Sequence, residues 1–457
     1  MTRCLGQHAI VIGGSIAGLM TARVLADHFA QVTIIERDVI EDKPVLHKST
    51  PQGHHLHALM LGGQQMVASL YPGILARLRA LGAVRYRAGR ENVWFLPDGK
   101  AYNATGTVRA PRDLGFDGYS QSRGLLEHCL RQCTLALANV QLITHSSVRS
   151  LIHTKGRVHG VQYLSQGTWH CLPADFVVDA GGRGSHAAWW LMELGFPVPE
   201  VTTIGVDFAY ASTKFRIPES YDAPERLMNF FVPSSRFPLA AIMGEIEDRI
   251  WHVSLAGRFG NYPPTDEEGF LDFAKSLPNK RLYDLINDAE RVSDIMAYRF
   301  PTSVQRHYER LTAFPEGFLV LGDAICSFNP VYGQGMSSAA LQVKALQQLL
   351  NERAEQSQGL EKMALAFFPK AAEVIATPWT LAATFDFLYP QTCGTRPPNL
   401  TANAQYLAAA NALAADDIKV QRLLAEVIAL AKPLTVLWEE PLRIRVLARQ
   451  RSEMYSQ

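Results

Sequence analysis

The sequence predicts a mixed α/β (α+β) chain: a Rossmann-like frame opened by one βαβ unit, an inserted and mostly antiparallel β-sheet, and a C-terminal helical region. Three observations predict it. Residues 8–36 read HAIVIG, GSIAG, LMTARVLADH and VTIIE, which is an apolar run, a glycine turn, a helical stretch and a second apolar run ending in an acid. Residues 203–258 hold the β-rich runs LMNFFV, LAAIMGEI and RIWHVSLAG, separated by Pro and Ser or by an acidic turn. Beyond residue 360 the chain is rich in Ala and Leu at helical spacing, with a break around 389–398.

The connecting segments complete this frame. Residues 146–180 give VRSLIH and RVHGVQYL around a turn at Lys155 and Gly156, then the strand DFVVDA, a meander set into the α/β frame. Residues 317–352 give the strand GFLVLGD, a loop with Asn329, Pro330 and Gly333, and a helix starting near Gln334, so the first frame is resumed. The expected division is a discontinuous nucleotide-binding domain of 1–90, 110–200 and 300–355, a substrate-binding sheet domain of 91–109 and 201–299, and a helical region of 356–457. A chain of 457 residues exceeds what one core supports.

Composition narrows the partners. Lys and Arg number 44 against 43 Asp and Glu, so no net field exists to gather nucleic acid or anionic lipid. Six cysteines, at 4, 129, 133, 171, 326 and 393, lack metal-ligand or disulfide-scaffold spacing, as expected in a reducing, cytoplasmic compartment. Cys129 and Cys133, four apart on an expected helix, read as packed thiols rather than a redox pair. The glycines that interrupt the apolar start, followed by Arg23 and Asp27, argue against a secretory leader. No run reaches the roughly 18 apolar residues of a membrane span.

The first chemical motif is Gly13-Gly14-Ser15-Ile16-Ala17-Gly18, set between a buried strand and a helix, with Glu36 at the tip of the next strand. Gly13 permits the tight turn, a small residue at 15 lets backbone approach a pyrophosphate, and Gly18 lets helix and strand pack closely. Phosphates would sit at the positive end of the helix, and Glu36 would accept from a ribose hydroxyl. The Ser15 hydroxyl, where a second glycine is usual, could also donate to phosphate. The second motif is Gly322-Asp323 after the strand FLVL, leading into Asn329-Pro330-Val331-Tyr332-Gly333-Gln334-Gly335-Met336. An aspartate ending a strand can accept from a polyol. The glycines bring a helix N-terminus toward a flat, electron-accepting ring, where its dipole would stabilise negative charge.

Together these ends of the chain resemble the flavin monooxygenases of the para-hydroxybenzoate hydroxylase fold. The segments 47–57 (HKSTPQGHHLH), 122–127 (SRGLLE) and 178–185 (VDAGGRGS) are similar to the bacterial subgroup containing polyether-pathway flavin epoxidases. The resemblance implies FAD in a three-layer ββα domain. Gly13, Ser15, Gly18 and Glu36 would hold its ADP half with Arg37 beside it, and Arg123 would lie over the pyrophosphate or ribityl region. Asp323, Gly333 and Gly335, with Met336, would hold the ribityl chain and isoalloxazine. Three departures stand out: Ser15 for glycine, His47 where the subgroup tends to have arginine, and His186 where arginine often follows Gly-Arg-Gly-Ser.

Other candidates read more plainly. His54, His55 and His57 lack a carboxylate or cysteine cluster, so a flavin-edge or loop-ordering role is expected rather than a metal. Gly182, Gly184 and Ala187 mimic a second dinucleotide turn, but no strand ending in an acid follows at the right distance. Trp189 and Trp190 read as core or rim.

The resemblance implies insertion of one oxygen atom from O2 into an apolar organic substrate through a flavin C4a-hydroperoxide. NADPH or NADH, or a partner flavin reductase, would supply the electrons. Such chemistry belongs to the cofactor, so no catalytic side chain is singled out, and no Ser-His-Asp or Cys-His set is legible. Epoxidation of a polyketide or terpenoid alkene is the first expectation and phenol hydroxylation the alternative. A flavoprotein whose FAD is structural, acting as a non-redox cyclase or binding protein, and a double-bond reductase are further readings. No Trp-x-Trp-x-Ile-Pro segment of a halogenase is present. Phe230, Phe231, Phe237 and Trp251 are the expected apolar lining of the substrate cavity.

Overall fold

The computed structural model describes residues 4–48, 50–95, 101–103, 106–107, 112–230 and 237–454. Five parallel strands form the first sheet, in the order Phe318–Val320, Phe176–Asp179, Gly6–Ile12, Phe29–Ile35, Val140–Ile143. Parallel strands are covered on both faces and so read as continuous apolar runs. Ile10, Val11, Val177 and Leu319 are accordingly inaccessible to solvent. The helices Ile16–Leu25, Arg123–Leu135 and Gly335–Glu355 cover one face, and the meander Ser146–Thr154, Arg157–Ser165, Thr168–Pro173 packs against the sheet through Val158 and Val161. This is the three-layer ββα arrangement.

Register places the functional loops. Ile12 lies opposite both Asp179 and Ile35, and Asp179 lies opposite Val320. The glycine turn, Glu36, the loop 180–185 and Gly322-Asp323 therefore all leave the carboxyl edge of one sheet, where open α/β sheets bind ligands.

The second sheet runs Cys326–Ser327, Met296–Arg306, Val201–Arg216, Ile250–Arg258, Leu239–Ile246, Leu227–Asn229, Asn92–Phe95, Ala101–Asn103, Gly106–Thr107. It is antiparallel except where Leu227–Asn229 meets Asn92–Phe95. One face has its own core, in which Phe215, Met228, Met243, Trp251, Val253 and Leu255 pack on the helices Glu267–Ser276 and Arg281–Ile286. Asp266 caps the first of these helices, accepting from the Gly269 amide at 2.8 Å.

Helices Met363–Asp386, Leu400–Asp416, Ile418–Ile428 and Leu442–Met454 form the C-terminal region around Leu381, Tyr406, Ala410, Leu424 and Leu437. Among the described residues no helix is long and apolar enough to cross a membrane. All six cysteines are free, with Cys129 buried and Cys133 half-buried. Trp190 is buried and Trp189 is exposed.

Candidate functional site

A cavity of about 980 Å³ opens where the two sheets and the C-terminal helices meet. Gly13, Ser15, Ile16, Ala17, Glu36, Arg37, Arg123, Asp323, Gly333, Gly335 and Met336 all lie on its wall. Gly13 and Gly18 act through the space they leave. Gly13 has φ +102°, and a Cβ there would sit 2.8 Å from the Ala180 carbonyl oxygen. A Cβ on Gly18 would collide with the Gly13 carbonyl, so the helix could not lie so close to the turn. Gly14 donates its amide to Glu36 Oε2 at 2.7 Å, and Asp38 donates to Oε1 at 2.9 Å, so Glu36 splints the turn itself.

Ser15 stands at the N-cap of Ile16–Leu25 but makes no capping bond. Its hydroxyl donates instead to Glu127 Oε2 at 2.8 Å and accepts from Arg123 at 2.9 Å. The hydroxyl expected to donate to phosphate is thus committed to Glu127, while no side chain among the described residues competes for the amides of the first helical turn. Glu127 continues the chain: His47 bridges Glu127 Oε1 at 2.8 Å and Asp38 Oδ2 at 2.7 Å. Burial opposes charge on His47, but the hydrogen bonds and charges of Glu127, Asp38 and Glu36 outweigh it and raise its pKa. Burial also works against the Glu127 carboxylate, yet His47, Arg123 and Ser15 hold its pKa below the usual range. At the position where arginine was expected, a histidine whose charged form is favoured by its carboxylate partners takes its place. The ligand atoms of Glu36, Asp38 and His47 lie within 4.8 Å of one another, but both His47 nitrogens are already engaged.

The opposite end is built by two left-handed glycines. Gly322, at φ +74°, turns the chain after Val320 and donates to Gln342 Oε1 at 2.8 Å, leaving Asp323 on the wall. Burial raises the Asp323 pKa, with Arg123 and Arg183 opposing. Gly333, at φ +68°, closes the turn before helix Gly335–Glu355, which has neither a side-chain cap nor an acid in its first turn. A network anchors that turn. Arg258 at 2.8 Å, Asn329 at 3.0 Å and Tyr332 at 2.7 Å all donate to Asp386 Oδ1. The Arg258 and Asp386 side chains are wholly buried, joining the second sheet, the loop and helix Met363–Asp386.

These groups fit a dinucleotide that spans the carboxyl edge. Two uncapped helix N-termini suit anionic groups, Asp323 suits hydroxyls, and Arg123 Nε is a buried donor without a partner among the described residues. The histidines are differently placed. His55 Nδ1 meets Ser212 Oγ at 2.7 Å, and His57 donates to the His55 carbonyl at 2.8 Å. Burial lowers their pKa values to about 4 and about 3, so both are neutral.

The remaining wall is mostly apolar and corrects the sequence reading. Trp94, Tyr210, Ile242, Tyr298 and Phe300 come from the second sheet, Leu381, Phe385, Leu407 and Ile428 from the C-terminal helices, and Leu388 from the turn after Met363–Asp386. Phe230 and Trp251 instead belong to the core on the sheet's other face, Trp251 lying edge-on to Tyr221 at 4.8 Å. Phe237 is 37 % exposed and also off the wall; Phe231 lies outside the described residues. The reason is strand parity: in Ile250–Arg258 the small residues Ser254 and Ala256 face the cavity, while Trp251, Val253 and Leu255 face the core. That alternation was available in the sequence. The contribution of the C-terminal helices was not, because a helix periodicity does not say what its apolar face covers.

A family model described as an FAD binding domain matches residues 7–360. Protein Rv3254 of Mycobacterium tuberculosis is 34% identical over 354 residues, covering 76% of this chain and 73% of that protein. Squalene epoxidase 2, mitochondrial, of Arabidopsis thaliana is 22% identical over 387 residues; the match covers 84% of this chain but 60% of that protein's length. Among solved structures, the flavin-dependent brominase Bmp2 superposes with a TM-score of 0.69 at 12% identity, over 98% of this chain and 99% of that one. The p-nitrophenol 4-monooxygenase PnpA from Pseudomonas putida superposes with a TM-score of 0.59 at 17% identity, over 95% and 100%. At such identities the likeness to solved structures speaks for the fold. With the family model covering the glycine turn, Glu36, Asp323 and the helix after it, the chain belongs to the FAD binding domain family and has the para-hydroxybenzoate hydroxylase fold.

Proposed function

We propose that this enzyme inserts one oxygen atom from O2 into an apolar organic substrate, and that the reaction is epoxidation of an alkene in a polyketide or terpenoid. The single observation that carries the reading is one continuous cavity, joining the polar loops of the carboxyl edge to an apolar wall from the second sheet and the C-terminal helices. The match to plant squalene epoxidases, whose name denotes oxidation of an alkene, supports the choice of reaction.

In this reading the uncapped start of helix Ile16–Leu25 receives the pyrophosphate, with Arg123 beside it, Glu36 and Arg37 at the adenosine side, and Asp323 accepting from the ribityl hydroxyls. Bound FAD supplies two-electron redox chemistry and, once reduced, activation of O2. The start of helix Gly335–Glu355 favours negative charge on whatever ring lies before it. The apolar wall excludes water and orients the alkene, which attacks an electrophilic oxygen without help from a protein nucleophile. NADPH or NADH, or a separate flavin reductase, delivers the electrons.

The test is direct. Purified protein should be yellow, consume O2 with NADPH, and add one oxygen to a terpene or polyene detected by product mass. Folded protein that stays colourless with added FAD would sink the reading.

A further inference from the structure

One polar feature of the chamber has no part in holding a nucleotide. Strands Leu227–Asn229 and Asn92–Phe95 pair in parallel, with Leu227 opposite Asn92 and Asn229 opposite Trp94. Side chains alternate across a strand, so residues 92, 94, 227 and 229 share a face. All four lie on the chamber wall, whereas Val93 and Met228 pack into the core behind the sheet. On the chamber face two amides meet: Asn229 Nδ2 donates to Asn92 Oδ1 at 3.0 Å. That bond fixes the direction of the pair. It leaves Asn229 Oδ1 an acceptor and the Asn92 NH2 group a donor, neither with a further partner among the described residues.

Asn229 is 8% exposed, on a wall where its neighbours across the strands are Trp94 and Ile242. A ligand that displaces water from such a wall must bond these amide atoms itself or leave them unpaired at a desolvation cost. The pair is uncharged and offers one donor and one acceptor from adjacent strands. Its complement is a neutral group that both accepts and donates, and an alcohol does both through one oxygen. The sheet also sets a direction. From Leu227–Asn229 to Met296–Arg306, which carries Tyr298 and Phe300, is four strand spacings, roughly 19 Å along the sheet.

We propose that Asn92 and Asn229 form a polar subsite that takes the hydroxyl group of an otherwise apolar, elongated substrate. The subsite rests on the chamber being where the organic substrate binds. It anchors one end of the molecule while the hydrocarbon lies along the sheet.

Three probes of one skeleton test it: geraniol, geranyl methyl ether, which accepts but cannot donate, and the parent hydrocarbon 2,6-dimethyl-2,6-octadiene. Binding to FAD-loaded protein is measured by calorimetry and by perturbation of the flavin absorbance, independently of turnover. Geraniol is expected to bind about five- to tenfold more tightly than the hydrocarbon, with the ether in between. Asn229→Leu should erase that order without weakening the hydrocarbon. Asn92→Leu provides the same test by removing the donor, and melting temperature and FAD content establish that each variant is folded. Failure of geraniol to bind, or the same ratios in wild type and both folded variants, overturns the subsite. Oxygenation of any alkene by the same preparation would leave the proposed function standing in that case, whereas loss of FAD binding would remove both.

Discussion

At Gly13 the permitted conformations decide the site. A left-handed φ and a carbonyl 2.8 Å from any Cβ leave room for hydrogen only. Gly13→Ala is expected to cost at least about 1–3 kcal/mol in stability and to lower FAD content, read from the flavin absorbance of purified protein. His47 makes a second prediction, through pH. Its folded pKa is raised above 6.5, so its stabilisation is fully present below 6.5 and is lost as pH rises through the raised value. Melting temperature should therefore fall on the alkaline side of 6.5 in wild type, and His47→Arg should flatten that limb because arginine keeps its charge. An unchanged slope in the variant would show that Glu127 and Asp38 do not depend on the His47 proton.

Between elements, the wholly buried Arg258–Asp386 pair ties the second sheet to the loop carrying Asn329 and Tyr332 and to helix Met363–Asp386. Removing one partner leaves an uncompensated buried charge, so Arg258→Met alone should cost about 3–5 kcal/mol in denaturant unfolding. Combining it with Asp386→Leu should recover most of that loss, since replacing both members of a buried pair by apolar groups is often neutral. Failure of the double variant to recover would mean that the loop needs Asp386 for the bonds from Asn329 and Tyr332. The helix Ile418–Ile428 offers a milder case. Asp417 caps it, accepting from the Lys419 amide at 2.8 Å, and Asp417→Ala should cost about 1 kcal/mol.

At the scale of the whole molecule, the chamber exists because three units close on it. Ala408, exposed on helix Leu400–Asp416, lies on its wall. Ala408→Trp should leave melting temperature and flavin content unchanged while narrowing the apolar end. Product formation from a bulky alkene should fall at least about tenfold, while NADPH oxidation continues and releases hydrogen peroxide. Equal product yield from both proteins would place the substrate elsewhere.

The local order of residues settled a good part of this. The placement of Gly13 to Gly18, Glu36 and Gly322-Asp323 at strand ends was legible because short-range rules on turns and helix starts act within a few residues. The aromatic lining was misassigned because hydrophobicity alone does not say which face of a sheet is core. Trp251 and Phe230 fill the core side, whereas smaller residues such as Ala256 and the amides of Asn92 and Asn229 face the chamber. His47, Glu127, Arg258 and Asp386 acquire their roles through partners 54 to 128 residues away or on other elements. No periodicity encodes such meetings. Charge pairing, strand parity against a particular core, and closure by the C-terminal helices are properties of packed surfaces, and they come into being only when distant segments are brought together.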